Sequence, residues 1–564
     1  MLLPLAGLLL PLAGEAQFTQ AWVNRYSYGT GTVAGPAIAA DASGNIYVTA
    51  TVNQYSSAAD FVTIKYSATG VQQWMAFYNG PAGNDDEAVA ITTDASGNVY
   101  VTGSSRDGSN SDGSNMSFAT IKYSSTGAQQ WVARYEGGTI ANAPSALKVD
   151  ASGNVYVTGY SVTGSFGYDY GTVKYNSAGV QQWYAIYNGT AGDIDQATAL
   201  AVDAAGNVYV TGESEGLNGG VTSYDYLTIK YSPAGATLWT ARYNSPGNGF
   251  DNATGLVLDA AANVYVTGQS AGAGVTIGYN TSGIQEWVNI NHAVAANSSI
   301  VLDPAGNVIT TGYVEPSPGI FGFVTTKISG GVTAWSAEYY AGYGNGIVGP
   351  EVAVDNTSNI YITGPTATSP SATNYSTIKY TATGSEDWVA TYNGPANAGD
   401  VPSAIVVVNP KGSLGRPPTG LPSIYVTGVG DIAASGYGDI TTLEYTQQSV
   451  VGMAVTPVAV AGAAAVGDAD ASGALTAKLS NYPNPFRGVS TIAYTLPYDA
   501  HVSLKVYDQG GREIAVLLDG DQPAGNYTTP FNGSRLASGV YLYKLVAASP
   551  GGSFSQTKQM LLVP

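Results

Sequence analysis

One short segment recurs along most of this 564-residue chain. The pattern Asp-x-x-Gly-Asn-(Val/Ile)-Tyr-Val-Thr, in full or nearly so, begins at Asp41, Asp94, Asp150, Asp203, Asp259, Asp303 and Asp355. A degenerate eighth copy ends at Gly428. The tryptophans keep the same spacing, at Trp22, Trp74, Trp131, Trp183, Trp239, Trp287, Trp335 and Trp388. This periodicity predicts eight structural units of about 54 residues each.

Each unit is predicted to contain four short strands joined by turns. In the copy at residues 84–135 we expect strand a at 88–93, strand b at 98–103, strand c at 118–123 and strand d at 129–135. The Asp-Ala-Ser-Gly-Asn segment is predicted to form the turn between strands a and b, because aspartate accepts local backbone hydrogen bonds and glycine supplies a positive φ. A sheet of this size cannot bury both faces alone. Neighbouring copies must therefore stack, either radially as a propeller or linearly as a solenoid.

The two ends of the repeat region favour the radial arrangement. The region opens with a lone d strand at residues 20–26, whereas its last copy supplies strands a, b and c without a tryptophan strand. An N-terminal strand that completes the last sheet would leave no unpaired edge there. The predicted fold is therefore all-β, with an eight-bladed β-propeller of four-stranded blades closed by an N-terminal strand.

Composition divides the chain into four parts. Residues 1–16 form an apolar stretch that ends in Gly-Glu-Ala, as expected of a signal peptide with a small-x-small cleavage site. Residues 17–447 carry the repeats, and residues 448–475 are rich in alanine, valine and glycine, which is typical of a linker. Residues 476–564 alternate apolar and polar side chains between turns, a pattern that predicts a small C-terminal Ig-like β-sandwich.

Charge and residue usage exclude several functions. Twenty basic and 39 acidic residues give a net charge of -19, which would repel a nucleic-acid backbone. The absence of cysteine excludes thiol nucleophiles and cysteine-bound zinc, and two histidines offer little imidazole chemistry. Phosphate-binding loops and HExxH motifs are absent from the sequence. We therefore expect neither nucleic-acid binding nor enzymatic activity.

The repeats resemble the bacterial β-propeller repeat family called SBBP. The resemblance rests on the order of the strands and on the Gly-Asn-Val-Tyr-Val-Thr-Gly segment, and it covers residues 17–447. It implies the propeller fold and leaves the activity open, because a fold does not determine a function.

The C-terminal module resembles the type A sorting domain of the type IX secretion system. The residues that carry this resemblance include Asn481, Pro483, Asn484, Pro485, Phe486, Gly511, Arg512, Gly539 and Tyr541. The resemblance implies recognition by the outer-membrane type IX secretion machinery and passage through that membrane. It further implies cleavage, followed by attachment to surface lipopolysaccharide or by release. The expected location is therefore the cell surface or the exterior.

The variable loops of a propeller are the expected ligand site. The b–c and d–a loops differ in length and composition, and in a propeller they emerge on the same rim. Carboxylates and aromatic rings are frequent there, a combination suited to sugars, peptides or cation-bridged partners. The predicted binding residues are Asp85, Asp86, Glu87, Asp193, Asp195, Asp251, Asp400, Tyr168, Tyr224 and Tyr340. A solvated acidic rim whose tyrosines pack their own loops is the alternative.

Calcium is the one cofactor for which the sequence offers candidate ligands. The repeated turn aspartates offer oxygen ligands at short spacing, but their role in the turn explains them. Better calcium ligands are the pair Asp193 and Asp195 and the run Asp85, Asp86 and Glu87, since each brings carboxylates close together in a variable loop.

Three functions remain open. The leading hypothesis is a secreted or cell-surface propeller that binds an extracellular glycan or protein. The first alternative is an extracellular polysaccharide hydrolase or lyase that acts at the channel mouth through the Asp85/Asp86 or Asp193/Asp195 pair. The second is a structural surface-coat protein.

Overall fold

The structure is a computed structural model that describes the chain in segments. The described residues are 18–27, 32–53, 58–106, 116–137, 141–163, 167–189, 194–218, 221–317, 320–343, 349–369, 372–410, 420–432, 438–447, 478–482, 486, 488–496, 499–508, 512–523, 525–534, 536–537, 539–549 and 552–562. The expected signal peptide and linker lie outside these segments. Within them, regular structure is entirely β-strand, and no helix is long and apolar enough to cross a membrane.

The chain divides into two compact units, Met1–Met453 and Ala454–Pro564. The strands of the first unit are β1 (Phe18–Tyr26), β2 (Thr32–Ala40), β3 (Ile46–Asn53), β4 (Ala59–Tyr66), β5 (Gln72–Tyr78), β6 (Asp86–Thr93), β7 (Val99–Arg106), β8 (Met116–Tyr123), β9 (Gln129–Tyr135), β10 (Asn142–Val149), β11 (Val155–Ser161), β12 (Asp169–Tyr175), β13 (Gln181–Tyr187), β14 (Asp195–Val202), β15 (Val208–Asn218), β16 (Val221–Tyr231), β17 (Thr237–Tyr243), β18 (Asp251–Leu258), β19 (Val264–Ser270), β20 (Ala273–Tyr279), β21 (Gln285–Asn291), β22 (Ala296–Leu302), β23 (Val308–Ser317), β24 (Ile320–Ser329), β25 (Val332–Tyr343), β26 (Glu351–Val354), β27 (Ile360–Ser369), β28 (Ala372–Tyr380), β29 (Glu386–Tyr392), β30 (Gly399–Val408), β31 (Ser423–Ile432) and β32 (Asp439–Gln447).

These strands pair antiparallel in groups of four. In chain order the groups β2–β5, β6–β9, β10–β13, β14–β17, β18–β21, β22–β25 and β26–β29 are named sheets 1 to 7, and one parallel pair between β25 and β27 joins sheets 6 and 7. Sheet 8 has the order β30-β31-β32-β1, so the first described strand pairs with the last strand of the unit. Within each sheet the strands are called a, b, c and d in this order. The prediction of an all-β region of four-stranded antiparallel sheets is confirmed.

The predicted strand limits differ from the observed ones mainly at strands b and c. In sheet 2, strand b continues to Arg106 rather than ending at residue 103, and strand c begins at Met116 rather than at residue 118. The hairpin stays paired there because Ser105 and Arg106 face Ser117 and Met116 in register. Backbone pairing therefore extends beyond the repeated sequence.

Hydroxyl groups link the a strands of successive sheets. Most a strands carry a β-bulge, and the bulged residue turns its hydroxyl toward the next a strand. Ser145 Oγ donates to the carbonyl oxygen of Ala197 at 2.7 Å. The other bonds of this kind are Thr198 to Ala253, Thr254 to Asn297, Ser298 to Pro350 and Ser403 to Pro36. The a strands of these successive sheets are therefore direct neighbours.

Tryptophans link each d strand to the c–d turn of the following sheet. Trp131 Nε1 donates to the carbonyl oxygen of Ser177 at 3.2 Å, and its ring covers Gly179, whose φ is +80°. A Cβ at Gly179 would lie 2.6 Å from the indole, so this turn requires glycine. The same bond joins Trp22, Trp74, Trp183, Trp239 and Trp335 to Ala68, Ser125, Pro233, Thr281 and Ala382.

Trp287 and Trp388 lack this bond in the described structure, and for Trp388 the strand order of sheet 8 explains why. The Nε1 of Trp388 is buried without a hydrogen-bond partner in the described structure. Sheet 8 takes its d strand from the N-terminal end of the chain, so no c–d turn lies opposite this indole. Phe18 of β1 packs on the ring instead, with 4.8 Å between the ring centroids.

Apolar clusters form between sheets rather than within one. Tyr100 and Phe118 of sheet 2 pack with Val155, Val157 and Tyr175 of sheet 3. A corresponding cluster joins sheets 8 and 1, through Tyr425, Ile440, Ile46, Val48 and Val62. Each sheet thus depends on its neighbour to remove its apolar face from water.

The C-terminal unit consists of two sheets around one core. Its strands are β33 (Lys478–Tyr482), β34 (Val489–Leu496), β35 (Ala500–Asp508), β36 (Glu513–Gln522), β37 (Gly525–Asn532), β38 (Gly539–Ser549) and β39 (Gly552–Leu562). One sheet has the order β33-β34-β37 and the other β36-β35-β38-β39. Ile492 and Phe531 of the first sheet pack with Val502, Leu504 and Leu545 of the second, which is a β-sandwich arrangement.

Candidate functional site

The predicted binding residues that the structure describes lie at one end of the sheets of the first unit. At this end, called the loop face, strands a and c begin and strands b and d end. The opposite end, called the turn face, carries the short a–b and c–d turns. The β15–β16 hairpin extends at the loop face to Asn218 and Val221, four residues beyond Ser214. Loop length varies mainly at this face, as expected of a surface that carries specificity, although the a–b connection of sheet 8 also spans residues 409–422 at the turn face.

Four of the predicted rim carboxylates are buried at the start of strand a. Asp86, Asp195, Asp251 and Asp400 are at most 1% exposed. Each accepts the backbone N–H of the residue six positions earlier, as Asp251 Oδ2 does from Ser245 at 2.7 Å. These four carboxylates, which were predicted to face a ligand, therefore close the d–a loop from within.

Burial also changes the protonation of these groups. Desolvation raises the pKa of Asp86, Asp195 and Asp400 above the usual value, although bonds from Gly80, Gly189 and Gly394 act in the opposite direction. Sheet 3 carries an amide at this position: Asn142 Nδ2 donates to the carbonyl oxygen of Met116 at 2.9 Å. The position therefore serves the fold with or without a charge.

Asp85 and Glu87, on either side of a buried carboxylate, are exposed at the loop face. Asp85 Oδ1 accepts the backbone N–H of Ala59 at 3.1 Å, and Asp85 Oδ2 lies 3.9 Å from Arg106 Nη1. Glu87 is exposed and lies opposite Ser104 in strand b. These two carboxylates remain accessible to a ligand.

Two of the predicted tyrosines belong to aromatic pairs at the loop face. Tyr168 is 40% exposed, and its ring centroid lies 4.5 Å from that of Tyr160 in an edge-on arrangement. Tyr224 lies 5.6 Å from Phe250, which is 48% exposed. The backbone of Tyr340 belongs to β25, and its side chain lies outside the described structure.

A set of polar residues lies at the inner edge of the loop face, and only Glu87 of this set was among the predicted binding residues. They flank the Thr-Gly step that ends the repeated segment of strand b, where five sheets continue with Ser104, Tyr160, Glu213, Gln269 and Tyr313. Gln196 and Asn252 of strand a face Glu213 and Gln269 across the ladder. We call Glu87, Tyr160, Gln196, Glu213, Asn252 and Gln269 the mouth cluster. The sequence offered one signal for these residues: the position after the Thr-Gly step varies in an otherwise constant repeat.

The mouth cluster combines partial burial with unused hydrogen-bonding capacity. Burial, followed by the influence of Tyr168 and Glu87, raises the pKa of Tyr160. Burial also raises the pKa of Glu213. Asn252 Oδ1 has no hydrogen-bond partner in the described structure. The cluster can therefore donate to and accept from a polar ligand beside an aromatic face.

The structure shows no arrangement of calcium ligands around the predicted residues that it describes. Asp193 lies outside the described residues, and the buried Asp195 is bonded to Gly189 N–H and to Ser214 Oγ. In the described segments no three acidic or histidine side chains group together as metal ligands. The turn aspartates are bonded within their own turns, as Asp41 is to Ser43, Asn45 and Tyr47.

The predicted sorting residues that the structure describes have roles in the C-terminal sandwich. Phe486 is 1% exposed and packs against Phe531. Tyr541 is buried, and its Oη donates to the carbonyl oxygen of Ala537 at 2.7 Å, an arrangement like the tyrosine corner of Ig folds. Arg512 is bonded to Asp508 through its backbone N–H and its Nε, both at 3.0 Å.

The remaining sorting residues have edge positions or are not described. Asn481 Nδ2 donates to Ser490 Oγ at 2.9 Å, which ties β33 to β34. Gly539 begins β38 opposite Leu562. Pro483, Asn484, Pro485 and Gly511 lie outside the described residues.

Family comparisons support both parts of the chain. Residues 480–558 match the family model of the secretion system C-terminal sorting domain, and residues 184–219 match that of the β-propeller repeat. Both expected resemblances are thereby confirmed, as is the expected export to the cell surface or the exterior. No curated protein matches the chain.

Solved structures offer only distant likenesses. PorZ, an essential surface component of the type IX secretion system of Porphyromonas gingivalis, is 12% identical, over 94% of this chain and 75% of that chain, with a TM-score of 0.33. A protein of unknown function from Dyadobacter fermentans is 11% identical, over 66% and 98%, with a TM-score of 0.36. Regucalcin, a calcium-binding protein from Agrobacterium tumefaciens, is 11% identical, over 51% and 85%, with a TM-score of 0.29. Scores this low support no conclusion about fold or function.

Proposed function

The chain is an exported protein with β-propeller repeats and a type IX sorting domain, and we propose that its repeat region binds an extracellular glycan at the loop face of a closed eight-bladed propeller. The sorting domain engages the type IX secretion machinery. After export we expect its removal and either attachment of the repeat region to surface lipopolysaccharide or its release.

Three contacts between the two ends of the repeat region support the closed ring. β1 pairs with β32 over the whole of its length. Ser403 Oγ donates to the carbonyl oxygen of Pro36, as its counterparts do between other successive sheets. Tyr425 and Ile440 share an apolar cluster with Ile46 and Val48. An open row of sheets would leave both of these faces in water.

The mouth cluster is the single observation that carries the glycan proposal. Its carboxamides, carboxylates and tyrosine offer hydrogen bonds in both directions, which hydroxyl-rich ligands need. The Tyr160–Tyr168 pair supplies a rigid ring face and edge with little conformational entropy to lose. The accessible carboxylates of Asp85 and Glu87 make a neutral or cationic sugar a better ligand than an anionic one.

Binding without turnover is the favoured form of this function. A glycosidase places two carboxyl groups at a defined separation on either side of the bond that it cleaves. Asp86 and Asp195, which the hydrolase alternative would use, are buried against backbone amides. A protein is the second candidate ligand for the same surface.

Glycan-array binding by the purified full chain tests the proposal. We expect retention of neutral or amino sugars and a loss of at least tenfold in affinity for Tyr160→Ala and for Gln269→Ala. The matched control is Tyr184→Ala, since Tyr184 is 57% exposed on the outer strand β13. Release of reducing ends would support the hydrolase instead. A chain that retains no glycan, or whose binding ignores both mouth variants, would contradict the proposal.

A further inference from the structure

A cavity opens on the inside of the first unit toward the turn face. Its volume is about 720 Å³, and it is lined by the last residues of the a strands of sheets 3 to 6. Val149, Val202, Leu258 and Leu302 form much of its wall. These side chains are only partly buried, so apolar surface from four sheets faces an open space.

Lys148 is the one cationic residue in the cavity wall. The residues that occupy its register position in the other sheets, opposite the second residue of the repeated strand b, are alanine, threonine or valine. The Lys148 side chain is open to the cavity and makes neither an ion pair nor a hydrogen bond in the described structure. Desolvation by the surrounding protein lowers the pKa of Lys148. An unpaired ammonium group beside apolar walls lacks a counter-charge.

The two carboxylates at the cavity edge are already engaged. Asp150 accepts four hydrogen bonds, from Ser152 N–H, Asn154 N–H, Asn154 Nδ2 and Tyr156 Oη. Asp203 accepts the corresponding four from its own turn. Neither makes an ion pair with Lys148. A carboxylate or other small anion is therefore the complement that this lysine lacks.

We propose that this cavity binds the aliphatic chain of a monocarboxylic acid, with the carboxylate paired to Lys148 Nζ and the hydrocarbon against Val149, Val202, Leu258 and Leu302. The site is separate from the mouth cluster, because the two lie toward opposite ends of the a strands. It also involves only sheets 3 to 6, so it does not depend on how the ring closes. The chemistry is that of most small-molecule sites, an apolar cavity with one placed polar group.

Titration calorimetry of the full chain with decanoate and decanol tests this site. We expect decanoate to bind at least tenfold more tightly than decanol, since a charged hydrogen bond in apolar surroundings contributes at least that factor. We also expect octanoate to bind about tenfold more weakly than decanoate, because it buries two fewer methylene groups. The variant Lys148→Met should lose the preference for the acid, and Lys148→Arg should keep it.

Two further variants separate the site from general effects of the substitutions. Lys544→Met makes the same change of charge at an exposed position of the C-terminal unit and should leave decanoate binding unchanged. Ala201→Phe fills the cavity and should weaken the binding of acid and alcohol alike. Equal affinities for acid and alcohol, no binding of either, or full decanoate binding by Lys148→Met or Ala201→Phe would overturn the proposal.

Discussion

Aspartate performs two opposite electrostatic roles within one sheet. Asp94 lies in the a–b turn of sheet 2 and accepts bonds from Ser96 N–H, Asn98 N–H, Asn98 Nδ2 and Tyr100 Oη. Burial acts to raise the pKa of Asp94, but these bonds outweigh it and the pKa falls. Asp86, eight residues earlier, has a raised pKa because its burial outweighs its bonds. The balance between burial and the hydrogen-bond donors that reach the carboxyl group decides whether its charged or its neutral form is favoured in the folded protein.

These two aspartates give a matched pair of substitutions. We expect Asp86→Asn to stabilise the protein at pH 7 by about 1 kcal/mol, because it removes a buried charge near Asp60 and imitates the amide of Asn142. We expect Asp94→Asn to destabilise it by about 1 to 2 kcal/mol, because an amide has one acceptor oxygen for four donors. Urea unfolding monitored by tryptophan fluorescence measures both. Equal effects of the two substitutions would refute the assignment of opposite roles.

The dependence of stability on pH follows from the same shifts. A turn aspartate with a lowered pKa stabilises the fold above its unfolded value of about 3.9, and this stability is lost as the pH falls through the lower folded value. Seven turn aspartates share this shift: Asp41, Asp94, Asp150, Asp203, Asp259, Asp303 and Asp355. We expect the free energy of unfolding to fall steeply below about pH 4. The Asp94→Asn variant should lose less on acidification than the parent, and an equal or steeper loss would count against this account.

Sequence patterns could not separate these two roles. Asp86 and Asp94 both stand at the boundary of an apolar strand, and the sequence alone does not say which carboxylate turns inward. The turn aspartates were assigned correctly because glycine and asparagine follow at fixed spacing. The burial of four rim carboxylates could not be predicted, because their partner, a backbone amide six residues earlier, leaves no mark in the sequence. They are Asp86, Asp195, Asp251 and Asp400.

At the scale of the element, the d strand is held by its tryptophan. Trp131 contacts Tyr100 of its own sheet and Tyr175 of the next, with 6.1 and 6.5 Å between ring centroids. Its indole N–H is bonded to the c–d turn that carries Gly179. One side chain therefore fixes the outer strand of sheet 2 to the turn of sheet 3.

Substitution of this tryptophan should destabilise the unit in two steps. We expect Trp131→Phe to lower the free energy of unfolding by about 1 kcal/mol, the value of one hydrogen bond, and Trp131→Ala by about 3 kcal/mol, since packing is then lost as well. Leu238→Ala in β17 is the control, because Leu238 is 53% exposed, and its expected change is within about 0.5 kcal/mol. Thermal unfolding measures all three. A near-neutral Trp131→Ala would contradict the packing between sheets.

Strand identity was predictable, and strand extent at the loop face was not. The repeated Asn-Val-Tyr-Val-Thr segment defined strand b in each copy because the β-branched and aromatic side chains are packed between sheets. Beyond Gly212, strand b of sheet 4 continues to Asn218 through backbone pairing that no repeat specifies. The mouth cluster begins in these continuations, which explains why Tyr160 and Gln269 escaped the prediction.

For the whole molecule, the pairing of β1 with β32 connects the first and last parts of the repeat region. Removal of residues 18–26 would expose the N–H and C=O groups of β32 and the Trp388 ring that Phe18 covers. We expect the truncated protein to aggregate or to lose several kcal/mol of stability, of the order of a lost strand and its apolar contacts. A synthetic peptide of residues 18–27 should restore the monomer, as measured by size-exclusion chromatography. A stable, monomeric truncation would argue against the closed ring.

The two units also have separable roles in the cell. Deletion of residues 476–564 removes the matched sorting domain and leaves the sheets of the first unit intact. We expect the shortened protein to accumulate folded in the periplasm, where limited proteolysis should yield the same resistant core as the exported form. Normal export of the deletion variant would show that the sorting domain is dispensable.

The position of β1 has a kinetic consequence. Its partner β32 is the last strand of the repeat region and is synthesised more than 400 residues later. Sheet 8 therefore cannot be completed until the ribosome has finished the repeat region. Closing so long a loop is slow compared with pairing neighbouring hairpins, and the contact order of this one strand far exceeds that of the others. Until then the unit is a string of hairpins with a free end. Transport of the chain in an unfolded state would therefore be easiest before β32 pairs with β1.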